Sequence, residues 1–205
     1  VWFRPVFLSD GPDGGLYVVD MYRREIDHPS YVPEESRGKF DFVSGHDRGR
    51  IYRVSRAAAR PRVRPARLTM EDLGHELEAP EAWWRELAQR LLVERAEFAA
   101  SPHIEKVVTD GSSPEARARA LWTLAGLGKL SADLIAASLR DPVAGVREQG
   151  LFLAASRIQR EPELATLALA AANDADPRVR CCAALVLGSW PDARVVGALA
   201  AIASM

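Results

Sequence analysis

The chain has 205 residues, of which 48% are hydrophobic and 27% are charged, as is typical of a globular protein. Its 27 basic and 28 acidic residues leave a formal charge of −1, which argues against a nucleic-acid partner because binding to phosphates requires a basic excess. No stretch approaches the roughly 20 consecutive apolar residues that cross a bilayer, so no transmembrane segment is predicted.

The first 56 residues are predicted to form short strands and loops. Apolar residues at 5–8 and 16–20 flank a segment of turn-forming residues, which predicts a β-hairpin. A third strand is expected at 50–54, after a long ordered loop at 21–49. The second strand is apolar on both faces, as in a sheet that is covered on each side. Three short strands do not form a stable core alone, so we interpret them as part of a larger β-structure in a longer protein.

Residues 57–67 contain two prolines and four arginines and are predicted to form an extended linker. A patch for nucleic acid or anionic lipid is the alternative interpretation of the arginines. The absence of interleaved aromatic residues favours the linker.

Residues 68–205 are predicted to form about four helix pairs, because one helical unit recurs along this region. Each unit has an arginine, a small residue three positions later and, in three of the four units, a leucine seven positions later. The arginines are Arg85, Arg117, Arg147 and Arg180. Stacked helix pairs of about 30 residues make an α-solenoid, in which each repeat buries its apolar face on the next.

Helix ends are predicted from capping residues. Ser113, Asp141 and Asp176 each precede a proline and are expected to cap the first helix of a unit. Second helices are expected at 131–139, 162–172 and 192–203, and Thr69 and Asp72 have capping-box spacing for a leading helix at 69–77. The repeated arginines are expected to pair with capping aspartates of adjacent units, as a ladder.

Two parts of the sequence resemble known proteins. Residues 176–180, Asp-Pro-Arg-Val-Arg, together with Ala183 and Leu187-Gly188, resemble a HEAT repeat. The segments 2–6, 11–22, 26–29 and 47–53 resemble the end of the β-propeller in the planctomycete-type (PVC) membrane-bound dehydrogenase or haem-binding protein family. Trp83-Trp84-Arg85 and residues 121–124 resemble the first repeats of that family.

The resemblance implies a mixed fold. Residues 1–56 would be the final blade and long loop of a β-propeller of the glucose-dehydrogenase or NHL type, 57–67 a linker, and 68–205 an all-α HEAT-repeat α-solenoid. In that family a c-type cytochrome module follows the repeats. The rest of the propeller and this module are therefore the expected partners within the parent chain.

The same resemblance implies a periplasmic or secreted protein whose parent oxidises a sugar or another alcohol and passes electrons to a c-type haem. The parent's propeller is expected to hold pyrroloquinoline quinone, Ca²⁺ or neither. This chain lacks the family's Cys-x-x-Cys-His haem site, so we expect no cofactor in it and no catalysis by it alone. The alternative function is a non-catalytic module that binds a protein partner on the concave face of the HEAT array.

Three residues in the first half are catalytic candidates: Asp20, Arg24 and His28. Propeller loops line the mouth of the central channel, and a histidine near carboxylates can act as general base in alcohol oxidation. The alternative is that His28 makes only structural hydrogen bonds.

His46, Arg48 and Arg50 are candidates for ligand binding. The planar donors of the two arginines suit an anionic group of a cofactor or substrate. The alternative is that these arginines pair with nearby carboxylates, including Asp47, and hold the loop in place.

Asp10 and Asp13 flank the predicted hairpin and are candidate Ca²⁺ ligands, since Ca²⁺ prefers carboxylate oxygens. Aspartates in such turns more often bond their own backbone. No other metal site is predicted, because His75 and His103 lie far apart in sequence and neither has a second ligand four residues on.

Overall fold

The computed structural model describes residues 2–55 and 67–204. These residues form two compact units: residues 2–55 with 81–83, and residues 67–80 with 84–204. A small antiparallel sheet lies in the first unit, and most of the second is helical. Apart from Arg67, the predicted linker at 57–67 lies outside the described residues.

The three predicted strands are confirmed. They are β1 (Pro5–Asp10), β2 (Leu16–Asp20) and β3 (Arg50–Val54), paired antiparallel in the order β1-β2-β3. Val18 lies opposite Leu8 on one side and Tyr52 on the other. This register places Leu8, Val18 and Tyr52 on one face, and the alternate residues of each strand on the other.

Turn chemistry joins β1 to β2. Gly14 has a φ of 71°, a conformation that glycine adopts without steric cost. The Gly11 amide donates to the Gly15 carbonyl at 2.9 Å, and the Gly15 amide donates to Asp13 Oδ1 at 3.0 Å. The Asp13 side chain therefore holds the turn, as an Asx residue does.

The long segment between β2 and β3 contains two short helical turns. A 3-10 turn spans Pro29–Tyr31, and the four-residue helix α1 spans Glu34–Arg37. The rest of this segment, within the described residues, is turns and irregular backbone.

Nine further helices follow in the described part of the chain. They are α2 (Met70–Glu76), α3 (Ala82–Glu94), α4 (Ser101–Asp110), α5 (Pro114–Gly126), α6 (Ala132–Leu139), α7 (Ala144–Ala154), α8 (Pro162–Ala170), α9 (Pro177–Gly188) and α10 (Arg194–Ala203). The predicted second helices are confirmed to within two residues at each end. The capping box of Thr69 and Asp72 at the start of α2 is also confirmed.

The helices of the second unit alternate between two rows. Each helix that carries a repeat arginine is followed by a second helix, giving the pairs α3–α4, α5–α6, α7–α8 and α9–α10. In the first row α5 packs on α7, and α7 packs on α9; in the second row α4 packs on α6, α6 on α8, and α8 on α10. The core between them contains Leu92, Ile104, Leu121, Leu124, Ile135, Leu151, Leu164 and Leu187, all at most 1% exposed.

The small residues of the repeat are buried where helices approach each other. Ala88, Ala120 and Ala183 are fully buried. A Cβ atom added to Gly150 would lie 2.4 Å from Ser138 Oγ on the preceding helix, so only glycine fits that contact. None of the helices in the described ranges is long and apolar enough to cross a membrane.

The prediction that Asp141 caps the helix after it is wrong. The helix α7 begins at Ala144, its N-cap is Val143, and no side chain caps it. Asp141 Oδ1 instead accepts the Val143 amide at 2.8 Å in the preceding turn. The predicted caps Ser113 and Asp176 are confirmed at α5 and α9.

Candidate functional site

A cavity of about 440 Å³ lies in the first unit, beside the end of β2. Trp2, Tyr22 and residues 43–48 line it. The two ends of the segment that joins β2 to β3 therefore meet at this cavity, and the N-terminal Trp2 closes one side. Aromatic rings, an imidazole, a guanidinium and a carboxylate all border the space.

Backbone conformation brings the two ends of the segment together. Tyr22 has a φ of 49°, and Gly45 has a φ of 87°. A Cβ atom at Gly45 would lie 2.0 Å from the Tyr22 carbonyl oxygen, so this contact requires glycine. Non-glycine residues in the left-handed region are uncommon and often mark functional sites, which makes Tyr22 notable.

Tyr22 is the centre of an aromatic and cationic cluster. The rings of Trp2 and Tyr22 stack with centroids 5.7 Å apart. The Arg50 guanidinium lies over the Tyr22 ring, 3.9 Å from its centroid, and Arg50 Nε donates to the Arg48 carbonyl at 3.1 Å. These contacts fix the orientation of the Tyr22 ring at the cavity wall.

The predicted ligand-binding residues lie at this cavity or next to it. His46 and Arg48 line it, and Arg50 contacts Tyr22. His46 Nδ1 lies 3.0 Å from the Val43 carbonyl oxygen. The Arg48 side chain is 68% exposed, and its Nε lies 3.9 Å from Asp47 Oδ1, so most of its donors are free to meet a ligand.

Asp20 is buried next to the cavity and binds the backbone of Arg4 and of Tyr22. It is 1% exposed, and its Oδ1 accepts the Arg4 amide at 2.7 Å and the Tyr22 amide at 2.9 Å. Its Oδ2 is buried and has no hydrogen-bond partner in the structure. Asp20 does not line the cavity, so its observed role is to hold the backbone on which Tyr22 sits.

The other two catalytic candidates make contacts of their own. His28 caps the 3-10 turn, with its Nδ1 accepting the Ser30 amide at 3.2 Å, and its ring contacts Tyr31 edge-on. The Arg24 carbonyl oxygen accepts the Arg4 guanidinium at 2.8 Å. No contact within residues 2–55 joins His28 to Asp20 or to Arg24. The three residues therefore do not form one constellation.

Of the candidate Ca²⁺ ligands, the Asp13 carboxylate has close partners. It accepts the Gly15 amide, the Tyr17 hydroxyl and the Arg53 guanidinium. The amide hydrogen bond from Gly15, followed by the Arg53 contacts, holds the pKa of Asp13 below its ordinary value. Asp10 is exposed at the end of β1. Across residues 2–55 and 67–204, no group of three or more ligating side chains could hold a metal ion.

In the second unit, two of the repeated arginines join successive helix pairs. Arg117 donates through Nε and Nη2 to the carboxylate of Asp141, at 2.7 and 3.0 Å. Arg147 donates in the same way to Asp174, at 2.8 and 2.7 Å. Both are bidentate pairs in which every side chain is less than one-fifth exposed. The aspartates lie in the turn before the next repeat arginine, and neither is the N-cap of the helix that follows.

The remaining donor of each arginine binds the turn before its own helix. Arg147 Nη1 donates to the carbonyls of Asp141 and Pro142, at 2.8 and 3.1 Å. Arg117, Arg85 and Arg180 donate to turn carbonyls in the same way. Each guanidinium therefore binds the turn that precedes its own helix. The guanidinium groups of Arg117 and Arg147 also bind the turn that precedes the next repeat helix.

These pairs shift the pKa values of the aspartates. Burial of Asp141 disfavours its charged form, but the hydrogen bonds from Arg117 and the Val143 amide outweigh burial and lower its pKa. The hydrogen bond from Arg147 lowers the pKa of Asp174. Both carboxylates are therefore ionised at neutral pH.

Sequence reasoning missed two features. The roles of Trp2 and Tyr22 at the cavity depend on how the segment 21–49 folds, and Gly45 is the sequence signal that could indicate it. His75 and His103, which are distant in sequence, contact each other with ring centroids 5.1 Å apart, beside a second cavity of about 320 Å³. Their proximity arises because α2 packs on residues 98–100, which lead directly into α4, and no local sequence pattern shows this contact.

The fold defines a mostly helical protein with a small three-stranded antiparallel sheet. A family model described as "Domain of unknown function (DUF7133)" matches residues 1–58, which cover the sheet, the cavity and all the candidate residues of the first unit. No curated protein and no solved structure matches the chain.

Proposed function

We propose that this chain closes the β-propeller and supplies the HEAT-repeat scaffold of a periplasmic, cytochrome-c-linked dehydrogenase-like protein. The parent protein oxidises a sugar or another alcohol. The first unit contributes a wall of the substrate channel, and the second unit spaces the propeller from the electron-accepting module.

The apolar residues of the small sheet carry this proposal. On one face Leu8 and Val54 are each 59% exposed, and on the other Phe7 is 63% and Ile51 is 66% exposed. A three-stranded sheet that exposes apolar side chains on both faces needs covering layers on both sides. A blade between two neighbouring blades of a propeller meets that need.

The cavity supports a role in binding a polyol. Stacked Trp2 and Tyr22 offer an apolar wall for the C–H face of a sugar. Arg48, Asp47 and His46 offer hydrogen-bond donors and acceptors on the opposing loop. Small-molecule sites typically combine an apolar wall with a few polar groups in this way.

The two rows of helices support the scaffold role. The bidentate pairs Arg117–Asp141 and Arg147–Asp174 repeat the same contact between successive helix pairs. An α-solenoid is stabilised by such nearest-neighbour contacts, and it holds modules at its two ends at a set distance.

A c-type haem does not fit the residues of this chain. Its two cysteines, Cys181 and Cys182, are adjacent, and no histidine follows them at attachment spacing. The haem of the proposed parent is therefore held by another part of that protein.

Substitution of Arg48 in the full-length protein tests the cavity. In dye-linked oxidation of a panel of aldoses and primary alcohols, Arg48→Ala should raise KM by roughly tenfold to a hundredfold, since a charge-assisted hydrogen bond contributes about 1.5–3 kcal/mol. The control Arg37→Ala removes an exposed guanidinium that lies outside the cavity, and it should leave KM unchanged. An unchanged KM for Arg48→Ala would exclude the cavity as the substrate site.

A second candidate function is a non-catalytic module that binds a protein partner. It is favoured by three large apolar side chains that are exposed along the first row of helices, Trp122, Phe152 and Leu185. A full-length protein with no further β-repeats and no haem motif would retain only this function.

A further inference from the structure

The exposed apolar residues of the first row of helices recur at one repeat position. Trp122, Phe152 and Leu185 are each five residues after the repeat arginine of their helix, and they are 40%, 43% and 66% exposed. Because α5, α7 and α9 pack side by side, the same position on each lies on the same side of the row. Large apolar side chains that are exposed on one side of a protein often mark interaction surfaces.

A groove of about 580 Å³ between α5 and α7 begins at Trp122, and we call it the α5–α7 groove. Its apolar lining includes Ala118, Val143 and Val146. Gly145 also lines it, and a Cβ atom there would meet nothing within 4 Å, so the groove is open above this residue. Trp122 Nε1 donates to the Gln149 amide oxygen at 2.8 Å, which holds the indole in place at the wall.

The charged side chains that line this groove are mainly basic. Arg85, Arg119 and Arg178 line it with a single carboxylate, Glu115. This excess is local, because the whole chain carries a formal charge of −1. Guanidinium groups bind carboxylates through paired hydrogen bonds, so the lining is complementary to acidic residues.

Arg119 and Arg178 already make ion pairs that leave part of each guanidinium exposed. Arg119 Nη2 lies 3.3 Å from Glu86, whose side chain is 63% exposed. The Arg178 side chain is 68% exposed; its Nε and Nη2 donate to the Asp176 carboxylate at 3.3 and 3.1 Å, and its Nε lies 3.5 Å from Glu148. Exposed pairs contribute little to stability, so a carboxylate of a partner can replace Glu86 at Arg119 at small cost. At Arg178 a partner carboxylate can approach the exposed side of the guanidinium.

We propose that the α5–α7 groove binds an acidic segment of a partner protein, with an apolar side chain against Trp122 and carboxylates on Arg119 and Arg178. This inference deepens the second candidate function and does not require the dehydrogenase. The partner peptide is thus defined by alternating acidic and apolar residues.

Synthetic peptides test the proposal on the intact chain. The probe is a fluorescein-labelled peptide of three Gly-Glu-Leu-Glu units, and its matched controls are Gly-Lys-Leu-Lys and Gly-Glu-Ser-Glu peptides of the same length. In fluorescence polarisation, the Glu–Leu peptide should bind at least tenfold more tightly than either control, and added salt should weaken its binding.

Two variants locate the binding surface. Trp122→Ser and Arg178→Gln should each weaken binding of the Glu–Leu peptide at least fivefold. The matched control is Arg140→Gln, which removes an exposed arginine paired with Glu163 outside the groove, and it should bind as the wild type does. Thermal unfolding of each variant shows whether it is still folded, so that weaker binding can be attributed to the substituted side chain.

Two results would overturn the proposal. One is that either control peptide binds as tightly as the Glu–Leu peptide does. The other is that folded Trp122→Ser and Arg178→Gln variants bind it as the wild type does. Either result would show that the α5–α7 groove does not bind an acidic segment. Neither result bears on the proposed dehydrogenase scaffold, because oxidation kinetics of the full-length protein test that proposal.

Discussion

All three nitrogens of the Arg147 guanidinium donate hydrogen bonds. Its Nε and Nη2 bind Asp174, while its Nη1 binds the carbonyls of Asp141 and Pro142. The planar fork of arginine allows both sets of bonds from one side chain, which a lysine ammonium does not reproduce. The repeat position therefore selects arginine, and the same geometry recurs at Arg117.

Removal of this side chain should be costly. Arg147→Ala leaves Asp174 without its main partner and two turn carbonyls without a donor, and we expect the free energy of unfolding to fall by about 2–4 kcal/mol. Arg140→Ala, whose pair with Glu163 is more than half exposed, should change it by less than about 1 kcal/mol. Urea unfolding followed by circular dichroism measures both, and equal losses would show that burial of the pair is unimportant.

The same pairs predict a dependence of stability on pH. The pKa values of Asp141 and Asp174 are lower in the folded chain than the ordinary 3.8. The unfolded chain therefore binds more protons below this value, and the stabilisation is lost as pH falls from about 3.8 through the folded pKa values. Tm should drop more steeply below pH 4 in the wild type than in the Asp141→Asn, Asp174→Asn double variant; parallel curves would contradict the assignment.

The adjacent cysteines should differ in reactivity. Burial raises the pKa of the Cys182 thiol, and the nearby charge of Glu148 adds to this effect. Cys181 is exposed on the same helix. With Ellman's reagent near pH 8, one thiol should react rapidly and one slowly, and Cys181→Ser should remove the rapid phase. Two thiols reacting at one rate would show that α9 does not bury Cys182.

At the scale of the element, packing allows a sharper test. Ala183 is fully buried on α9, and Leu185 is 66% exposed two residues later. Ala183→Asp buries an unpaired charge and should lower the free energy of unfolding by more than about 3 kcal/mol. Leu185→Asp changes the same helix at its exposed face and should cost less than about 1 kcal/mol. Similar thermal unfolding of the two variants would contradict the packing of α9.

Most helices could be predicted from local signals, because their caps and apolar spacing lie within a few residues. The start of α7 could not be predicted. Asp141-Pro142 has the same residues as Asp176-Pro177, yet Asp141 is held by Arg117 from the preceding repeat. A long-range contact therefore overrides the local capping preference.

The partner of Arg147 shows the same limit. Asp174 and Asp176 lie close together in the turn before α9, and sequence spacing does not distinguish them as partners of Arg147. The path of this turn in the structure places Asp174, and not Asp176, in the pair with Arg147. Asp176 instead caps α9 and binds Arg178. Sequence spacing predicted an arginine–aspartate ladder and could not select its carboxylates.

At the scale of the whole molecule, the candidate site was partly predictable. His46 and Arg48 were identified from their residue types, and both line the cavity. Trp2 and Tyr22 were not identified, since stacking between them depends on how residues 21–49 fold back on β2. His28 was identified for its chemistry, but in the structure it caps a 3-10 turn.

We propose that these residues close the propeller of a haem-linked dehydrogenase-like protein and connect it to the cytochrome module. The most direct test extends the reading frame in both directions and records the reduced-minus-oxidised absorption spectrum of the full-length product. We expect a c-type haem difference spectrum from a protein with further β-repeats before this segment. A full-length product with no haem signal and no such repeats would contradict it.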